Sequence, residues 1–235
     1  MSGLEAVSYH HDDVALTGWL ARPTGTPRAA IVIYPTIANA NPAMERRATM
    51  LAELGYLAMI ADHYGETPKD NEQATALAGA LRAEPAHYRA RIAAAIDTLR
   101  TVDSAAGLPM AAIGYCLGGQ AALEAARDGQ DLVLAVSFHG ILSTGRAAEP
   151  GAVRARILVC HGDADPLVPR DQVRAFFEEM DGAGAEWHFH AYSGVRHGFT
   201  DPASDLRDFD AVAYDASADR QSWAAMQSLL AEILA

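Results

Sequence analysis

At 235 residues, half of them hydrophobic, the chain is long enough to bury one large core. A formal charge of −12 leaves no electrostatic footprint for nucleic acid or an anionic membrane surface, and no apolar run is long enough to span a bilayer. Two cysteines, Cys116 and Cys160, do not make a disulfide framework, and Met1–Glu5 lacks the basic-then-apolar pattern of a leader, so a reducing, cytoplasmic setting is expected.

Ala6–His10 and Val14–Ala21 flank His11-Asp12-Asp13 and predict an antiparallel hairpin at a sheet edge. Ala29–Tyr34 is continuously apolar, as a strand buried on both faces must be. Pro35–Asn41 reads as a loop, and Pro42 opens a helix that stops at Gly55. Leu57–Ala61 is the next strand. Helices are expected near Glu72–Arg82 and over His87–Val102, with Pro85 as the break between them. In the second half the alternation continues. Strands are expected at Met110–Tyr115, Leu132–Phe138, Arg156–His161 and Trp187–Tyr192, and helices at Leu117–Arg127, Asp171–Asp181 and Gln221–Leu234. Gly140–Val153 reads as a long loop, and Asp201–Tyr214 as a polar, irregular wrapping. Buried strands alternating with helices predict a single α/β domain over residues 1–235, with a mostly parallel sheet covered on both faces.

The most informative stretch is Gly114-Tyr115-Cys116-Leu117-Gly118-Gly119, between an apolar strand and an alanine-rich helix. This is the strand–turn–helix pattern of a nucleophile elbow, with Cys116 where a serine is usual. The glycines allow strand and helix to approach closely, and the Leu117 N–H at the helix start would point at a developing oxyanion. In open α/β sheets the working residues sit at the carboxyl ends of strands. Those ends carry Thr36-Ile37, Cys116, then Asp163 and Asp165, then His197 in Arg196-His197-Gly198-Phe199. Nucleophile, acid, histidine is the chain order of an α/β-hydrolase triad. Asp163 and Asp165 compete for the acid position on pattern alone. The other histidines read as surface or structural groups, with His139 and His161, both at strand ends, as candidates for substrate contact. No HExxH or Cys/His spacing suggests a metal.

The elbow, the segment His161-Gly162-Asp163-Ala164-Asp165-Pro166, the Arg196–Phe199 motif and Ala58–Gly65 together resemble the dienelactone hydrolase family over nearly the whole chain. The resemblance implies the α/β-hydrolase fold and hydrolysis of esters or lactones by a Cys–His–Asp triad, with Cys116, His197 and Asp165 in those roles. It implies an oxyanion hole built from the N–H groups of Ile37 and Leu117, and no metal or cofactor. Thr36, Tyr64, His139, Phe199 and Asp201 are expected around a small-molecule substrate. The family archetype has a glutamate near the thiol where this chain has Thr36, and a carboxylate-binding arginine where it has Asp201. The substrate is therefore expected to be a neutral ester or lactone. The competing readings are a thiol-sensing or non-catalytic relative, and a hydrolase of another electrophile such as an acyl thioester.

Overall fold

Five consecutive apolar residues, Ala30–Tyr34, offer no side to solvent and are stable only where both faces are covered. In the computed structural model, which describes residues 3–235, they form β3 inside an eight-stranded sheet. Its other strands are β1 (Glu5–His11), β2 (Val14–Ala21), β4 (Leu57–Ile60), β5 (Met110–Tyr115), β6 (Leu134–Phe138), β7 (Arg156–Gly162) and β8 (Trp187–Tyr192). The spatial order is β1-β2-β4-β3-β5-β6-β7-β8. The β1–β2 and β2–β4 pairs are antiparallel, and every pair from β4 to β8 is parallel. The hairpin thus forms one edge, as its sequence suggested. Met1 and Ser2, part of the stretch read for a leader, lie outside the described residues.

Successive strand residues point to opposite faces. Ile31 and Ile33 pack with Met44 and Leu51 of α1 (Pro42–Glu53) and with Met226 and Leu230 of α6 (Ala216–Ile233). Val32 and Tyr34 pack on the other face with α2 (Asn71–Ala83), α3 (Pro85–Arg100), α4 (Leu117–Arg127) and α5 (Arg170–Ala183). Truncating a fully buried residue such as Ile33 to Ala costs about 2–5 kcal/mol in sites of this kind. No helix of the described residues is long and apolar enough to cross a membrane.

Several boundaries differ from the sequence reading. β1 takes in His11, because Asp12 tolerates the left-handed turn conformation at φ 52°. Pro85 starts α3 at its first position, and the extended Glu84 before it separates the two helices. β6 begins at Leu134 instead of Leu132. α6 begins at Ala216, well before Gln221, because Asp215 caps it by accepting the Ala218 N–H at 2.7 Å. The polar Asp201–Tyr214 stretch contains a short 3-10 turn, Pro202–Leu206.

From β3 the chain first adds β4 on one side and then β5 on the other. The crevice between the carboxyl ends of β3 and β5 is therefore the switch point at which α/β sheets bind ligands.

Candidate active site

Cys116 stands at that crevice. It caps α4 with φ 57° and ψ −116°, a conformation disfavoured for a side-chain-bearing residue. The turn is tight enough that a Cβ at Gly114 would collide with the Gly118 carbonyl, and one at Gly118 with the Tyr34 carbonyl. Cys116 N–H donates to Phe138 O at 3.1 Å, which ties the tip to β6. The side chain is enclosed by protein but keeps an open face into the neighbouring cavity.

The loop after β7 carries two aspartates whose surroundings differ. Asp163 forms a two-pronged surface pair with Arg170, at 2.6 and 3.0 Å. Asp165 is buried; its Oδ1 accepts Leu167 N–H at 2.8 Å and its Oδ2 meets His197 Nδ1 at 2.7 Å. That bond assigns the Nδ1 proton of His197 and leaves Nε2 for chemistry. Nε2 is buried without a regular hydrogen bond, yet lies close enough to the Cys116 thiol for the two groups to interact electrostatically. Catalytic contacts are often loose in this way before substrate arrives. Burial disfavours the charged form of His197, but the Cys116 charge and the Asp165 hydrogen bond outweigh it and raise its pKa to about 10. Burial likewise pushes the Cys116 thiol up, and His197 together with the N–H groups of Leu117 and Ile37 brings it net below its ordinary value. Both shifts favour the charged forms, thiolate on Cys116 and imidazolium on His197.

The Ile37 and Leu117 N–H groups both donate toward the Cys116 sulfur. Ile37 is held there by a turn framed by Asn39, which the sequence does not single out, and by Asp62 and His63 of the Ala58–Gly65 segment. Asn39 N–H donates to Thr36 O at 3.0 Å, and Asn39 occupies the left-handed region at φ 60°. Its Nδ2 donates to Asp62 Oδ1 at 2.8 Å. Asp62 also accepts N–H bonds from Thr17, Tyr64 and Gly65. His63 Nε2 lies 2.9 Å from Pro35 O, and burial keeps its imidazole neutral with a pKa near 4. Asp62 and His63 follow directly on β4, so the strand-end rule already pointed to them.

A cavity of about 500 Å³ opens beside Cys116 and His197. Of the residues expected around the substrate, Thr36, His139 and Asp201 line it. His139, strained at φ 40°, sets its Nε2 2.9 Å from Thr200 Oγ1 and its ring edge-on to His197 with centroids 5.1 Å apart. Burial first, and the neighbouring His197 second, hold His139 well below its usual pKa, so it is neutral. Phe199 and Tyr64 do not line the cavity. Phe199 is fully buried against His139 and Tyr192, as its apolar ring demands. Tyr64 stands among the framing residues after β4, with its ring tilted against His63 and its hydroxyl buried without a partner. Among residues not anticipated, Arg207, Phe209 and Val212 of the 202–212 strap line the cavity, and Asp201 faces Arg207 at 3.4 Å.

Among the described residues, His11, Asp12 and His87 are near enough to share a metal ion, at the hairpin turn and outside the cavity lining. Arg91 Nε–H donates to His11 Nδ1 at 2.9 Å, which places the neutral ring's proton on Nε2, toward Asp12. That is the reverse of the arrangement usual for a metal-bound histidine.

Known proteins resemble the chain along most of its length. The chain is 33% identical to a crystal structure of P91, a dienelactone hydrolase-like promiscuous phosphotriesterase from metagenomic libraries, with a TM-score of 0.94 and 98% of each chain covered. It is 26% identical to the "Probable 2-oxo-3-(5-oxofuran-2-ylidene)propanoate lactonase" of a Bradyrhizobium species, over 87% of this chain and 84% of that protein. An uncharacterised Caenorhabditis elegans protein is 36% identical over 62% of this chain and 93% of its own length. The family model for the dienelactone hydrolase family matches residues 16–234. The chain therefore belongs to the dienelactone hydrolase family and is a hydrolase of the α/β-hydrolase fold.

Proposed function

We propose that this enzyme cleaves neutral carboxylic esters or lactones by acyl transfer through Cys116, with His197 as the proton carrier and Asp165 as the group that orients it. The observation that carries the reading is convergence on one sulfur. A strained elbow exposes it, a histidine tied to a buried aspartate lies beside it, and two backbone N–H groups point at it.

In this mechanism the Cys116 thiolate attacks the acyl carbon and forms a C–S bond, while the carbonyl π pair moves onto oxygen. The N–H groups of Ile37 and Leu117 hold that oxyanion. Collapse breaks the bond to the leaving oxygen, which takes the Nε2 proton of His197 and departs as the alcohol. Neutral His197 then removes a proton from water; the hydroxyl attacks the thioester, the C–S bond breaks, and the carboxylic acid leaves with the thiolate–imidazolium pair restored. No step calls for a metal or cofactor. Both cysteines are free, and a resting thiolate at Cys116 suits a reducing, cytoplasmic setting.

Stopped-flow assay with a nitrophenyl ester tests the reading. A burst of one nitrophenolate per chain followed by steady turnover, both lost in Cys116→Ala, is the expected result. Labelling of Cys116 without turnover would instead indicate a thiol sensor or a stalled acyl-protein.

A further inference from the structure

We propose that the cavity beside His197 receives the alcohol portion of the ester and that this portion is apolar and uncharged, with Phe209 of the 202–212 strap as its wall. The inference rests on the acyl-transfer reading and goes beyond it by naming the leaving group.

The position of the strap comes first. His197 N–H donates to Ala211 O and Ala213 N–H donates to His197 O, each at 3.1 Å, and His197 pairs with Val212 in a short bridge. The strap therefore runs alongside the histidine. The leaving oxygen must come within hydrogen-bond reach of His197 Nε2 to be protonated. Cys116, His197, Phe209 and Val212 line one cavity, so the carbon chain on that oxygen meets the strap's side chains there.

Charge comes second. The lining holds two arginines, and both are engaged. Arg47 pairs with the buried Asp219, donates to Thr200 O at 3.1 Å and lies over the Trp223 ring at 5.0 Å. Arg207 faces Asp201, whose other oxygen accepts Ala203 N–H at 3.0 Å. A carboxylate on the leaving group would lose its hydration without gaining a cation.

The third observation is the wall itself. Met44, Pro68, Leu167, Phe209 and Val212 present apolar surface to the cavity, and Leu167 and Phe209 are 39% and 53% exposed. Large apolar side chains left open around a concave site are the surface that a ligand covers with gain.

The test measures kcat/KM, which reports the acylation step, on acetate esters of ethanol, butanol and hexanol and on ethyl esters of acetic, butyric and hexanoic acids. Within each series the leaving-group basicity is nearly constant. The alcohol series is expected to rise by about two- to fourfold per methylene, the upper figure being full burial of a CH₂, and the acid series to rise less steeply. Hexyl acetate is expected to exceed its 5-carboxypentyl analogue by roughly tenfold or more. Phe209→Ala should cut the hexyl-to-ethyl ratio several-fold. Leu206→Ser, on the same strap but outside the lining and 87% exposed, should leave the ratio within about twofold, as surface changes do. A flat alcohol series, a slope confined to the acid series, or a ratio indifferent to Phe209→Ala overturns the proposal while ester hydrolysis stands. Absence of hydrolysis in both series, with no acylation of Cys116, would instead overturn the acyl-transfer reading.

Discussion

Replacing Asp165 by Asn changes one atom in a fully buried contact, and the surroundings dictate how the new amide sits. Leu167 N–H needs an acceptor at the Oδ1 position, 2.8 Å away, so the carbonyl oxygen of the Asn stays there. The NH₂ group is then forced toward His197 Nδ1, now 2.7 Å from Oδ2. Two donors cannot face each other, so the imidazole must present a lone pair at Nδ1 and carry its proton on Nε2. In that tautomer it neither accepts a proton from water nor forms the imidazolium that holds the thiolate. With the carboxylate gone, part of what raises the His197 pKa is lost and that pKa falls, which lets the Cys116 thiol rise. The expected loss is about 10³–10⁴ in kcat/KM, equivalent to about 4–5.5 kcal/mol of transition-state stabilisation. Ester turnover, the pH profile of Cys116 alkylation and the thermal midpoint should be measured together, with Asp163→Asn as the control. Asp163 pairs only with a surface arginine and its loss should change turnover by less than about threefold. A folded Asp165→Asn enzyme with near-normal turnover, or an inactive but folded Asp163→Asn enzyme, would refute this assignment.

Further outcomes concern pH, the oxyanion loop and the second cysteine. Acylation needs the thiolate and a protonated His197 together, so activity should rise through a thiol pKa below the ordinary value and fall again near pH 10, where His197 loses its proton; kcat/KM against pH checks both limbs. Asn39→Ala removes the bond to Asp62 and leaves Ala in a left-handed conformation costing about 1–2 kcal/mol. It should lower kcat about tenfold or more, with a smaller change in KM, because only the oxyanion is displaced from Ile37; steady-state kinetics on the folded variant decides this. Iodoacetamide at neutral pH should label Cys116 and spare Cys160, whose thiol is pushed by burial to about 12; mapping the labelled peptide separates them.

Strand ends made the candidate constellation legible, because α/β topology brings them to one crevice however far apart they lie in sequence. Cys116 directly follows β5, and Asp165 and His197 lie in the loops after β7 and β8, so reading those segments brought all three forward as candidates. Asp163 and Asp165 could not be separated by pattern, since the distinction lies in Arg170 taking one and His197 the other across the fold. Phe199 was drawn toward the substrate by its place in the histidine motif. Its ring instead turns into the core behind His139. The strap at 202–212 is polar in sequence and gave no periodic signal. Its place on the cavity depends on backbone bonds to His197 that no local pattern encodes. The early start of α6 was hidden for a related reason, because Asp215 caps a first turn that precedes the apolar stripe.

Passage of the acyl group through Cys116 is checked by acid quench of the enzyme during turnover of a slowly deacylating ester. Intact mass and peptide mapping should then show one acyl group on the peptide containing Cys116, lost on a chase without ester and absent in Cys116→Ala. Full turnover with no adduct on Cys116, or an acyl group carried by another side chain at the rate of turnover, would contradict it.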